Sequence, residues 1–286
     1  MPAMELQRFP SPLPDSPQLL LGIIGQPLGH TLSPALHNWA LQEAGVSGVY
    51  CRWELPPERL GRMLDAVRTL PIHGLSVTIP HKEAVMDLLD ESTPFARQIG
   101  AVNTLYWHEG RLCGDNTDVE GFLTPLRELP VFESALVLGA GGAARAALAG
   151  LSALGVSRIG IANRSPERAL ALAELFHVQH VPWSQRTEFG AALVVNATPL
   201  GMHGERKDQS PWPEDAWTHV TAAYDLVYNP LRTRFLMDAR TAGALALEGL
   251  RMFLGQAQCQ FTRWTGATFP WDPARRLLLD ALREQH

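Results

Sequence analysis

No stretch of the sequence approaches the ~20 consecutive apolar residues that a bilayer-spanning helix needs, so a membrane protein is not expected. Cysteine is scarce. Cys51, Cys113 and Cys259 form an odd set without paired spacing, which argues against a disulfide framework and suits a reducing cytoplasm. Positive charge is not in excess either, since 24 Lys and Arg stand against 29 Asp and Glu for a formal charge of -5. That balance leaves no basic footprint for nucleic acid, and an anionic ligand has to be held by a local cluster of donors. Metal-ligand spacing is also missing: His177 and His180 lie beside Phe176 without a third ligand. The N-terminus lacks the basic start and long apolar stretch of a signal peptide. Residues Met1 to Gln18 instead carry five prolines and read as a poorly ordered leader.

What is present is globular in proportion, with 46% apolar and 19% charged residues. At 286 residues the chain is near the size at which one core divides into two. Its first part alternates strand and helix. Leu19 to Ile24 reads as a strand, Ser33-Pro34 as a helix cap, and Gly48 to Glu54 as a second strand. A helix with Leu60, Met63, Leu64 and Val67 on one face follows, then a strand over Leu75 to Ile79 and a helix over Lys82 to Leu89. Thr93-Pro94 caps a short helix, and Val102 to Trp107 with Arg111 to Cys113 form a hairpin.

A second alternation begins after a helix near Asp118 to Leu129. Ala135 to Leu138, Arg158 to Ala162, Ala191 to Asn196 and Ala223 to Tyr228 read as buried strands, with helices at Ala143 to Leu154 and after Ser165-Pro166. This is the rhythm of a doubly wound sheet. The tail is helical, over Gly249 to Trp264 and from Asp272-Pro273 to Arg283. The expected fold is α/β with two domains: residues 19–117 plus 249–286 form one, and 118–248 form a Rossmann-type domain.

Gly139-Ala140-Gly141-Gly142-Ala143-Ala144 fits G-x-G-x-x-A between a strand and a helix. The first glycine permits the tight turn, and the second lets the backbone approach a pyrophosphate at the helix N-terminus. Many small-residue turns mimic this pattern, but few sit between Leu136-Val137-Leu138 and an alanine-rich helix. At the end of the next strand an NAD site usually offers a carboxylate to the ribose. Here Asn163-Arg164-Ser165 stands there, with Arg168 one helical turn on. Arginines suit a 2′-phosphate, so NADP is the expected cofactor.

Ser76-Val77-Thr78-Ile79-Pro80-His81-Lys82 delivers a lysine from a strand end into a turn. Further on stand Gly100-Ala101-Val102-Asn103-Thr104 and Gly114-Asp115-Asn116-Thr117-Asp118. With His30-Thr31-Leu32-Ser33-Pro34 before them and the glycine loop after, these stretches resemble the shikimate dehydrogenase family. The resemblance continues through Asn196 to Met202, Asp225-Leu226-Val227-Tyr228 and Gly249 to Gln256. It implies reversible hydride transfer between NADPH and the C3 carbonyl of 3-dehydroshikimate, a step toward aromatic amino acids. It also implies Lys82 and Asp118 as the catalytic pair, and Thr31 and Ser33 at the substrate carboxylate. Thr78, Asn103, Tyr228 and Gln256 fall at the other substrate positions. Gly139 to Ala143, Asn163, Arg164, Ser165, Arg168 and Gly249 fall on the cofactor side.

The chemistry is consistent with those residue types. Hydride arriving at a ketone leaves an alkoxide that needs a proton and a nearby positive charge, and a lysine ammonium supplies both. An isolated lysine is ordinarily a solvated helix-start residue, and an isolated Asp118 an ordinary cap. Departures from the family pattern are Thr31 for serine, Ser76 for asparagine, Val119 for glycine and Arg251 for a small residue. They bear on selectivity against quinate. Two alternatives stand beside the first reading: a broader quinate/shikimate dehydrogenase, and a catalytically silent dinucleotide sensor. No heptad marks an oligomer, so monomer and homodimer both stay open.

Overall fold

The computed structural model describes residues 18–29 and 31–284. The leader up to residue 17 and His30 of the Thr31 motif lie outside the described residues. The first sheet is built from β1 (Leu19–Gly25), β2 (Gly48–Glu54), β3 (Ile72–Val77), β4 (Glu91–Ser92), β5 (Thr104–His108) and β6 (Arg111–Asp115). Their order is β2-β1-β3-β5-β6-β4. β2, β1 and β3 run parallel, whereas β3–β5 and β5–β6 are antiparallel pairs. The helices joining them are α1 (Ser33–Glu43), α2 (Leu60–Thr69) and α3 (Pro94–Ile99).

α4 (Asp118–Leu126) leads into the second sheet: β7 (Ser134–Leu138), β8 (Arg158–Ala162), β9 (Gln179–His180), β10 (Leu193–Asn196), β11 (Ala222–Asp225) and β12 (Leu245–Leu247). All its ladders are parallel, in the order β12-β11-β10-β7-β8-β9. Two halves therefore wind outward from β7 and β10, and the switch point between them opens at the carboxyl ends of those strands. α5 (Gly142–Ala153) and α6 (Pro166–Phe176) cover one face, and α7 (Arg234–Thr241) the other.

Alternate residues of β7 take opposite sides: Ala135 and Val137 pack with α4 and α5, Leu136 and Leu138 with Phe235 and Trp217. Trp212 and Trp217 are core residues on that side of the sheet (3% and 5% exposed). The tail supplies α8 (Gly249–Thr265) and α9 (Trp271–Glu284). Leu250, Phe253, Leu254 and Phe261 of α8 join the core of the first sheet with Leu278 of α9, while Met252 joins the core of the second. α8 is therefore shared between both cores. Among the described residues no helix is long and apolar enough to cross a membrane.

The expected helix over Lys82 to Leu89 is instead a run of turns with one 3-10 turn at Met86–Leu88. A tertiary bond takes the place of the helix ladder: the Lys82 carbonyl accepts from Val102 N at 2.7 Å, and Met86 N turns back to Glu83 O at 3.2 Å. β3 begins three residues before Leu75 and ends at Val77, because Ile72 pairs with β1 and Ile79 is 65% exposed. β11 stops at Asp225, whose own carboxylate accepts from Val227 N. α7 was not read from the sequence. Thr233 caps it, its hydroxyl oxygen accepting from Leu236 N at 3.3 Å.

α4 lies against α8 at Gly121, where an added Cβ would stand 2.5 Å from Met252 O and 2.9 Å from Gln256 N. Both are backbone atoms that cannot step aside. Gly121→Val is expected to lower stability by about 1–3 kcal/mol, the usual cost of overpacking, read as a lower urea midpoint with an unchanged slope. An unchanged midpoint would show that α4 and α8 separate freely.

Candidate active site

Three segments meet where β3, the β5–β6 hairpin and α4 end or begin. Lys82 leaves the turn after β3, and its Nζ donates to Asp118 Oδ2 at 2.6 Å. The two side chains are only 14% and 7% exposed. Asp118 is the first residue of α4, where the helix dipole favours a carboxylate. Its backbone N–H donates to Asn116 Oδ1 at 3.1 Å, and its Oδ1 accepts from Asn103 Nδ2 at 2.9 Å. Asn103 in turn accepts from Thr117 N at 2.8 Å and Thr104 Oγ1 at 2.7 Å. Lysine, carboxylate and amide thus form one braced unit.

Beside it lies a cluster of hydroxyls. Ser33 is the first residue of α1 and does not cap that helix. Its hydroxyl accepts instead from Thr31 Oγ1 at 3.2 Å. Tyr50 shares a hydrogen bond with Ser33 and donates to Ser76 Oγ at 2.6 Å; Tyr228 bonds to Thr31. Burial pushes both phenols above their ordinary range, so they stay protonated donors. His37 stacks on Tyr50 with ring centroids 4.4 Å apart, and burial lowers it to about 3, so it is neutral there.

Thr78 is half-buried at the exit of β3, its N–H donating to Ile24 O and its carbonyl accepting from His81 N. Gln256 sends its Nε2 to Phe253 O of its own helix at 3.0 Å. The amide that does join the cluster is Gln260, one turn later. It accepts from Ser76 Oγ at 2.7 Å and donates to Thr104 Oγ1 and Asn103 O, each at 3.1 Å. Tyr50 and Gln260 were not singled out from the sequence. A buried amide at helical spacing from Gln256 was the only signal. His81 is fully buried, its Nε2 2.7 Å from Leu55 O, and anchors the turn before Lys82.

The glycine loop faces this unit. Gly139 has a φ of +115°, and a Cβ there would stand 2.7 Å from Ala197 O, so both conformation and space require glycine. At Gly141 a Cβ would meet nothing within 4 Å. The protein's own atoms do not demand glycine there, and the open side fits close approach of a pyrophosphate to the backbone at the start of α5. A Cβ on Gly142 would come 3.0 Å from Lys82 Cδ. Loop and lysine are therefore in contact across the two sheets. Arg145 of α5 reinforces this junction, bonding Ile99 O at 3.0 Å and Glu83 at 3.1 Å.

Ala140 and Ala143 are half-buried on the loop, and the fully buried Ala144 lets α5 pack closely. At the end of β8, Asn163 Nδ2 bonds Ser165 O at 3.0 Å, while Arg164 and Arg168 are exposed. Among the described residues neither arginine is in an ion pair, so both are available to a phosphate. Gly249 starts α8 against Val227 O, where a Cβ would approach to 2.7 Å. Of the departures, Val119 is buried in the core of the second sheet and Arg251 pairs with Glu128 at 2.6 Å. Among the described residues no cluster suits a metal ion.

Two family models match this chain: the shikimate dehydrogenase substrate binding domain over residues 23–105, and shikimate / quinate 5-dehydrogenase over 130–194. A relative from Oleidesulfovibrio alaskensis, named shikimate dehydrogenase (NADP(+)), is 50% identical over 273 residues, spanning 94% of this chain and 98% of its own. The chain belongs to the shikimate dehydrogenase family. A solved shikimate 5-dehydrogenase from Thermus thermophilus, in complex with NADP(H) and shikimate, has 41% identity and a TM-score of 0.84 over 92% of this chain and 99% of its own. A quinate dehydrogenase from Corynebacterium glutamicum in complex with NAD reaches the same TM-score of 0.84, with 33% identity, over 92% of this chain and 99% of its own. Within the shikimate dehydrogenase family, backbone likeness alone therefore does not separate the two substrates.

Behind the cleft, Asp225 is fully buried at the end of β11 and accepts from Asn196 Nδ2 at 2.9 Å, Val227 N at 3.0 Å and Thr233 Oγ1 at 2.5 Å. Burial raises its carboxyl from 3.8 to about 7 despite those donors. A raised acid is most stabilising below the unfolded value. Its contribution is therefore full below about pH 4 and lost as pH rises through about 7. Urea unfolding of the wild type and Asp225→Asn across this range should show their stability difference falling with pH. A difference independent of pH would mean that the carboxylate is ionised throughout.

Proposed function

We propose that this chain is an NADP-dependent shikimate dehydrogenase, reducing 3-dehydroshikimate reversibly to shikimate on the route to aromatic amino acids. The observation that carries the reading is the Lys82–Asp118 pair lying against Gly142 of the cofactor loop. NADPH, when bound, supplies the hydride for C3, and NADP takes it back in the reverse direction. As the carbonyl carbon gains hydride, its π pair moves to oxygen, and Lys82 Nζ delivers a proton to that oxygen. Asp118 holds the ammonium in place, and Asn103 holds Asp118. In the oxidative direction Lys82 takes the hydroxyl proton.

Thr31 and Ser33 are assigned to the substrate carboxylate, where hydroxyl donors fit an anion. Thr78, Asn103, Tyr228 and Gln256 are assigned to the rest of the substrate, whose ring hydroxyls each need a partner once water is excluded. Gly139, Ala140, Gly141, Gly142 and Ala143 are assigned to the pyrophosphate. Asn163, Arg164, Ser165 and Arg168 are assigned to the adenosine 2′-phosphate, and Gly249 to the wall beside the nicotinamide. Residues 19–117 with 249–286 form the catalytic domain and 118–248 the NADP domain; the packing of α9 on the first core and α4 on the second supports that division. The reading extends to a cytoplasmic monomer or homodimer, consistent with three free cysteines.

A broader quinate-accepting enzyme is the second reading, favoured by the likeness to a quinate dehydrogenase and by Thr31 and Ser76 in the substrate cluster. Steady-state rates with shikimate and quinate, each with NADP and NAD, separate the two. The highest kcat/KM is expected for shikimate with NADP, and a higher value for quinate or NAD contradicts the first reading. Lys82→Ala should lower turnover by roughly 10²–10⁴, the range for a lost proton-transfer group, with NADP binding retained. Protein that binds NADPH but turns over no shikimate would instead be a sensor.

A further inference from the structure

Gln260 sits on α8, outside the loops that form the cleft, and is 2% exposed. A buried primary amide is kept only if its donors and acceptor are met, and here each bond has a definite direction. Tyr50 donates to Ser76 Oγ, and Ser76 donates to Gln260 Oε1. Gln260 Nε2 donates to Thr104 Oγ1 and to Asn103 O. The Thr104 hydroxyl accepts from Gln260 and has one proton to give; its nearest acceptor is Asn103 Oδ1 at 2.7 Å, with the Thr117 hydroxyl farther off at 3.2 Å, where either oxygen could donate. With Thr117 N donating to the same oxygen at 2.8 Å, Oδ1 is filled and the Asn103 amide cannot turn over. Its Nδ2 is thereby committed to Asp118 Oδ1.

We propose that Gln260 is a positioning residue that fixes which face of the Asn103 amide meets Asp118 and the substrate. The inference rests on the assignment of Asn103 to the substrate in the preceding section. The sheet register explains why an amide from α8 is needed. Ser76 of β3 stands directly opposite Thr104 of β5, but a one-carbon side chain ending in a hydroxyl donates to only one partner. Gln260 spans the gap, taking the Ser76 proton on one side and supplying Thr104 on the other. An asparagine at 76 would place an amide opposite Thr104 across the antiparallel pair, within reach of its hydroxyl.

The test is a steady-state comparison of wild type, Gln260→Ala and the double variant Gln260→Ala with Ser76→Asn. Wild-type turnover of shikimate with NADP is measured first; its absence would overturn the functional reading and is distinct from failure of the present one. With an active wild type, Gln260→Ala should lower kcat/KM for shikimate about tenfold, the effect of a lost buried hydrogen-bond brace. Its KM for NADP should stay within about twofold, since the cofactor loop is not in the chain of bonds. The double variant should regain most of the loss. If the alanine variant is not recovered folded, Gln260→Met, which keeps the volume but cannot bond, is read in the same way. An unchanged KM and kcat for shikimate overturns the proposal. So does a loss shared equally by NADP and not relieved by Ser76→Asn.

Discussion

The ion pair between Lys82 and Asp118 is the constraint that organises the molecule. An ammonium and a carboxylate that are both largely hidden from water lose much of their hydration, and their attraction seldom does more than offset that cost. Such a pair is weak evidence of stability and stronger evidence of use. Holding it requires a turn that stops β3 short of a helix, a helix that begins with the carboxylate, and an amide that binds the free carboxylate oxygen. The structure has all three. The Lys82 carbonyl is taken by Val102, α4 opens at Asp118, and Asn103 completes the carboxylate's partners.

The position of α4 then depends on helices drawn from distant parts of the sequence. Its buried side packs against α5 in the second core, and Gly121 brings it within backbone contact of α8. α8 in turn is anchored in the first core. The carboxylate is thus fixed relative to both sheets, and the glycine loop, at the start of α5, arrives beside the lysine. The glycine loop of one sheet and the Lys82–Asp118 pair of the other come together because α8 is shared between the two cores and α4 packs against it.

Much of this was legible in the sequence. β2 and β8 occupy the ranges that their apolar residues and flanking turns indicate, and Thr93 caps α3 with a 3.1 Å bond to Ala96 N. The glycine loop has the conformation its pattern requires. What the sequence hid was set by partners far along the chain. The Lys82 turn resembles a helix until Val102 removes its carbonyl. β3 extends back past Leu75 through Gly74, which pairs with Leu21 and Tyr106 and leaves room for the Trp264 indole. Ser33 resembles a cap, but its hydroxyl belongs to the cluster with Thr31 and Tyr50. Gln260 has no local motif at all, and its role is visible only once α8 lies across β3 and β5. Spacing alone does not bring Lys82 and Asp118 together; the family motifs point to both, and the fold places them 2.6 Å apart.

If Lys82 and Asp118 act as one unit, a double-mutant cycle on kcat will show it. Lys82→Ala, Asp118→Ala and the double variant are compared with the wild type under saturating shikimate and NADP. Strong non-additivity is expected, the double variant being little slower than the slower single one. Losses that simply multiply would contradict it, because each residue would then contribute independently of the other.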